Sequence, residues 1–165
     1  MTLWLLVPLL LLIAVVQVTL MPPLPIGGFK IDLPMMLVVA WGLLGPAWEA
    51  ARWGFIVGIF LDLASGLPFG AQTLALTIVG LLMGLGQMYF FRGNVVAPPA
   101  AMIVGTLVYN VLILGILALI GWQIPWNDYL LRVTLPMAIL NTIALPLAYF
   151  PLQRLQRRLR PQIEW

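Results

Sequence analysis

Apolar residues run along this chain in blocks rather than in alternation, and short polar or proline-rich breaks divide them into six. Positions 3–20 are almost wholly apolar and end at "MPPLP". Positions 33–48 open on "DLP" and are broken at Gly45–Pro46, and positions 53–67 run into "SGLPFG". Positions 71–91, 97–119 and 131–151 follow, the fifth block beginning after "APPA" and the sixth closing at Pro151. Long apolar blocks without alternation predict helices. Lipid as solvent admits only helices or closed barrels, because the backbone must satisfy itself there. The expected fold is therefore an all-α integral membrane protein of about six spans. Blocks two and three are short against the roughly 20 residues of a straight span. They are expected to be tilted, kinked or covered by neighbours, and a count of five stays open. No internal repeat is visible, and the longest loop, roughly a dozen residues, is too short to fold alone. We read 1–151 as one transmembrane domain and 152–165 as a basic, amphipathic cytoplasmic tail.

Composition strengthens this picture. Of 165 residues, 63% are hydrophobic and 8% charged, with a mean hydropathy of +1.09. A soluble domain has about a quarter of its residues charged, so this chain cannot cover a water-facing surface. The first block lacks a basic leader, exceeds the usual signal-peptide core of roughly 7–15 residues, and is followed by no small-x-small cleavage site. It reads as a retained first span.

Charge then sets orientation. With a cytoplasmic N-terminus and six spans, the inside holds Arg52, Arg92, Arg154, Arg157, Arg158 and Arg160, and the outside holds Lys30 and Arg132. The excess of arginine inside favours both termini in the cytoplasm and requires an even number of spans. The net charge of +3 is thus a topology signal, and no nucleic-acid partner is expected. Trp41, Trp48, Trp53, Trp122 and Trp126 fall near predicted span ends, where an indole suits the headgroup level. Asp128 and Arg132, four apart, read as an interfacial pair, with Asn127 or Asp128 capping the helix start.

One block carries a charge. Gly54, Gly58 and Asp62 are spaced four apart and share a helix face. Gly54-x-x-x-Gly58 permits close helix approach. An ionised Asp at a bilayer centre costs about 2.5–3.5 kcal/mol on insertion scales, so its carboxylate is expected to face protein or water. Ser65, Gly66, Pro68 and Gly70 follow it in a stretch that cannot continue a regular helix. Asp62 is expected near the outer end of its span, accepting hydrogen bonds from Ser65 or from backbone N–H groups of the turn. It forms either a contact site or a polar knot tying two helices together.

Chemistry is scarce. The chain has no Cys and no His, so thiol chemistry and a His-based nucleophile are excluded. The single Lys lies in the first outer loop. Five scattered acidic residues make no metal cage, and Asp62 has no facing aspartate for intramembrane proteolysis. No catalytic residue, metal or cofactor is expected. Thr73 and Thr77 share a face with Gly80 and Gly84, a second small-x-x-x-small surface read as packing. Gln17, Gln87, Thr106 and Thr142 are further polar positions inside spans. Asn110 and Asn141 lie deeper, and either meet across spans five and six or line a cavity. In the tail, Leu152, Leu155 and Leu159 lie on one side and Arg154, Arg157, Arg158 and Arg160 spread over the others. That pattern suits a short amphipathic helix on the inner membrane surface, as a topology determinant or a partner contact.

The segment Gly54, Gly58, Leu61-Asp62-Leu63, Ser65-Gly66, Pro68, Gly70, followed by "AQTLALTIVGLLMG", resembles the bacterial rod shape-determining protein MreD family. The six-span layout with a basic tail extends the likeness along the chain. The resemblance implies a non-enzymatic member of the cell-elongation machinery that organises lateral peptidoglycan synthesis. It implies association with MreC, and through it with MreB, RodA and its transpeptidase. It also implies a fold similar to the substrate-binding membrane subunits of energy-coupling-factor transporters. The alternative function is therefore a vitamin-type transporter subunit. Against it, the first block has Ala14 but no Ala-x-x-x-Ala pair, and the loops are short apart from "MPPLPIGGFKIDLP".

Overall fold

The structure, a computed structural model, describes residues 31–89 and 96–159 together with Leu12, Val15 and Gln17. Most of the first predicted span, and Lys30, Arg92 and Arg160, lie outside the described residues. Among the described residues every regular element is a helix.

Helix α1, Leu33–Leu44, is apolar all round, and every residue from Pro34 to Leu43 is buried. A helix without a polar face belongs inside a bundle. Its 12 residues extend about 18 Å, well short of the roughly 30 Å of a hydrocarbon core. It touches the four long helices described below. It therefore acts as a central strut, and both its ends fall within the protein.

Gly45 and Pro46 are extended and break the chain between α1 and α2, Ala47–Ala64. Proline biases the residue before it toward extended backbone and ends the preceding helix. This corrects the sequence-based boundaries of 33–48 and 53–67. Nothing between Trp48 and Trp53 interrupts a helix, so that stretch joins the second element. Aromatic side chains close the corner. Trp41 Nε1 donates to Glu49 Oε2 at 3.3 Å, Trp41 and Trp53 meet edge to face with centroids 6.0 Å apart, and the Arg52 guanidinium lies 4.6 Å from the Trp48 ring centre.

Helix α2 returns through a turn at 65–70 into α3, Ala71–Tyr89, and these two form the most extensive helix pair. The two glycine faces read separately in the sequence meet each other. A Cβ at Gly54 would press on the Leu76 backbone, and one at Gly58 on Thr73. Reciprocally, a Cβ at Gly80 would press on the Ala50 backbone, and one at Gly84 on Ala47. All four would come under 3.0 Å from their neighbours. The seam alternates which helix supplies the missing side chain, and the axes close until backbone touches backbone. Gly42 brings α1 against the same seam, facing Met83 and Gly84.

Helix α4 spans Ala97–Leu119, with Pro98 and Pro99 in its first turn, where their missing N–H groups lose no bond. After a link, the short α5, Trp126–Tyr129, runs through a π-helical turn, Leu130–Thr134, into α6, Leu135–Leu159. The sixth block was expected to start at 131 and stop at Pro151. Instead the helical run begins earlier, at Trp126, and α6 continues through Pro146 and Pro151. Tertiary contacts beyond Pro151 hold it: Leu152 is buried, Leu155 packs on the core, and the Gln156 amide donates to the Leu44 carbonyl. The tail thus continues a long helix that docks on the bundle.

Among the described residues, three stretches are long and apolar enough to cross a membrane: Ala71–Met88, Ala97–Leu119 and Trp126–Gln156. Helix α2 has comparable length but carries Glu49, Arg52 and Asp62.

The seam makes a sharp contrast testable. Gly54→Val should destabilise by 2 kcal/mol or more, about the upper range for overpacking. Gly115, inside α4 with nothing within 4 Å of an added Cβ, should accept Ala with no loss or a gain of up to about 1 kcal/mol. Thermal melts of both variants in detergent check this.

Candidate functional site

Asp62 lies on the last turn of α2, 4% exposed, with the start of α3 opposite. Its Oδ1 accepts from the Gln72 amide at 2.9 Å. Its Oδ2 accepts from the amides of Gly70 and Thr73, both at 3.0 Å, and from the Thr73 hydroxyl at 2.5 Å. The amides of Ala71 and Leu74 go to the carbonyls of Pro68 and Gly70. Every N–H from Gly70 to Leu74 thereby has an acceptor. A helix N-terminus carries orphan donors and a positive dipole end, and a carboxylate answers both. Asp62 is a cap supplied by another helix.

Ser65 does not reach Asp62. Its hydroxyl accepts from Gln72 Nε2 at 2.6 Å and from the Leu67 amide at 3.4 Å. Gln72 in turn accepts from the Tyr109 hydroxyl at 3.4 Å, which links the turn to α4. Gly70 has φ +95°, a left-handed conformation that favours glycine. Pro68 contributes a turn carbonyl. Gly66 has neither constraint, since a Cβ there would meet nothing within 4 Å. Leu63 and Phe69 beside it are 69% and 71% exposed.

A second polar node closes the N-terminus of α1. Asp32 Oδ1 accepts from the Met35 amide at 3.1 Å, an N-cap of the usual local kind. Gln17 donates to the Ile31 carbonyl at 2.9 Å and accepts from the Leu33 amide at 3.0 Å. Asn141 of α6 accepts from the Asp32 amide at 2.9 Å. Asp32, Gln17 and Asn141 are all buried. Sequence reading placed Asp32 at a span end and passed over it. The signal that names it is Asp-x-Pro ahead of a run with no polar face, the start of a helix buried on every side.

Asn110 and Asn141 do not meet. Asn110 donates to the Thr106 carbonyl of its own helix at 2.9 Å, while Asn141 turns to α1. Thr77, Thr106 and Thr142 likewise bond back to carbonyls four residues earlier, an outlet that needs no partner helix. Thr134 Oγ1, at the end of the π turn, and Asn141 Nδ2 are buried without a hydrogen-bond partner. Arg154 is exposed on α6; Arg157 and Arg158 lie on the same helix. Asp128 and Arg132 pair at 3.4 Å on the surface.

Four donors occupy both oxygens of Asp62, so the carboxylate ties the end of α2 to the start of α3. Among the described residues no three His, Cys, Asp or Glu side chains gather.

Bundled apolar helices, several of membrane-crossing character, whose ends are closed by buried carboxylate and amide side chains define a polytopic integral membrane protein. The family described as rod shape-determining protein MreD matches residues 1–159, and the chain belongs to it. Membership carries a role in rod shape determination. No curated protein and no solved structure matches the chain.

Two substitutions test the caps. Asp62→Leu strands three amides and a hydroxyl at about 1–3 kcal/mol per buried unpaired group, so a loss of about 3 kcal/mol or more is expected. Ser65→Ala should cost about 1 kcal/mol. Chemical denaturation in mixed micelles compares them, and equal losses would contradict the assignment. Thr134→Val removes an unsatisfied buried hydroxyl and should raise stability by about 1 kcal/mol, read from the same curves.

Proposed function

We propose that this chain is a non-enzymatic scaffold of the bacterial cell-elongation complex. It binds MreC and, within a larger assembly, RodA with its transpeptidase and MreB, and so helps organise lateral peptidoglycan synthesis. The proposed topology is six spans in the inner membrane with both termini cytoplasmic. Residues 1–151 form the transmembrane domain, and 152–165 form the basic tail.

The observation that carries this reading is the turn at 65–70. Its polar groups are spent inward: Asp62 caps α3, and Ser65 joins Gln72. What it offers outward is Gly66 and the apolar Phe69, with Leu63 of the last turn of α2 beside them. A glycine with ordinary backbone and open space around it is not required by this chain's own packing. It suits a surface approached closely by another protein. The buried glycine seam supports the reading from the other side, because a rigid α2–α3 pair presents that turn in one fixed geometry.

Gly66→Phe separates folding from assembly. The open space at Gly66 predicts an unchanged thermal melt. Affinity purification in mild detergent from the native host should recover MreC with the parent chain and much less with the variant. Recovery of paired ATPases with a coupling membrane subunit would instead make the chain a transporter component, and undiminished MreC recovery with Gly66→Phe would remove the turn from the interface.

A further inference from the structure

Thr134 is fully buried, and its hydroxyl has no hydrogen-bond partner. Thr77, Thr106 and Thr142, also inside helices, each donate to the carbonyl four residues earlier. For Thr134 that carbonyl belongs to Leu130, at the other end of the π turn. There the Leu135 amide reaches back five residues to the Leu130 carbonyl. A turn closed in this way holds one residue more than an α turn, and such turns concentrate at functional sites. The Thr134 hydroxyl is enclosed by protein with no room for a bridging water. Its partner must come from a rearrangement of the chain. The segment ahead of the turn is free to supply one. Gly121, with φ +91°, closes α4, its amide donating to the Ala118 carbonyl at 3.0 Å. Residues 122–125 then have no regular structure, and no residue of α5 is buried. Rewinding the π turn as α would rotate residues 126–130 by about 100° and shift them about 1.5 Å along the axis. Residues 122–125 take up the difference, and Thr134 keeps its place on the buried face.

We infer that the π turn Leu130–Thr134 is a joint with two positions. One is the π register of this structure. The other is an α register, latched by a hydrogen bond from the Thr134 hydroxyl to the Leu130 carbonyl. The exchange re-aims the exposed head of α6. Trp126, 42% exposed, and the surface pair Asp128 and Arg132 turn with it, as does half-buried Tyr129. A partner that holds Trp126 in one orientation selects one register, because it binds the two states unequally. A contact at the surface is then felt at a buried hydroxyl between α6 and the bundle. The inference does not depend on the scaffold reading.

The test uses the full chain in nanodiscs with fluorotryptophan at every tryptophan. The Trp126 fluorine resonance is identified by its loss in Trp126→Phe. Saturation transfer on that resonance should find a second, minor position. Trp53, packed against Trp41 in the core, should give one position throughout. Thr134→Val removes the latch and should lower the minor population roughly fivefold, about the worth of one hydrogen bond. Thr134→Ser keeps the hydroxyl and should keep the minor position. Deletion of Leu131, 63% exposed, removes the extra residue and should move Trp126 to the minor position. In that background the hydroxyl has its carbonyl, so Thr134→Val should lower the melting temperature, opposite in sign to its effect on the parent. A single Trp126 position without exchange in the parent overturns the inference, and so does a minor population indifferent to Thr134→Val. Where melts show that the deletion prevents folding, the two Thr134 substitutions decide alone.

Discussion

A helix that stops inside an apolar bundle cannot hand its terminal N–H and C=O groups to water. Something in the protein must take them. Helix α1 is too short to reach both headgroup layers, and it is sheathed on every side. Its first amides go to Asp32, Gln17 and Asn141, and its last carbonyl goes to Gln156. Helix α3 has the same need at its start and meets it with Asp62. Among the described residues, buried Gln17, Asp32, Asp62 and Asn141 all answer to that one constraint. Helix α6 supplies groups to both ends of α1, so the two are fastened together at top and bottom.

The second constraint is distance. Caps between helices work only where helices come close, and the reciprocal glycines of α2 and α3 bring them to backbone contact. Asp62 lies one turn beyond Gly58 on the same face, so the seam delivers the carboxylate to the amides of α3. Packing and electrostatics are coupled here. A side chain that widened the seam would lengthen the hydrogen bonds of the cap, and loss of the cap would free the end of the seam. The turn that follows is positioned by both, which is how local chemistry reaches the outward surface of Leu63, Gly66 and Phe69.

Much of this was legible in the residues. A lone aspartate in an apolar run, just ahead of "SGLPFG", marks a polar knot without any structure. The two glycine faces were readable as surfaces of close approach. Their pairing was not, because nothing local says that Gly54 and Gly80 sit on opposite sides of one seam. The turn amide of Gly70 does bond Asp62 as the sequence suggests, but Ser65 does not, and the other donors are Gln72 and Thr73 of the next helix. Asp32 was hidden by its position. Apolarity alone does not separate a helix wrapped in protein from one wrapped in lipid, so a cap deep in the bundle looked like a residue at the membrane edge. Pro151 misled for a related reason: docking contacts on its far side outweigh the break that proline predicts.

The central claim is that helix ends are closed by side chains brought from other helices. The Gly70 amide tests it most directly, because it lies in a turn and not in a helix. Amide hydrogen exchange of glycine-labelled protein in detergent reads it residue by residue. Held by Asp62, the Gly70 amide should exchange as slowly as amides in the middle of α3. Exchange as fast as that of an open turn would show that the carboxylate is not the cap of α3.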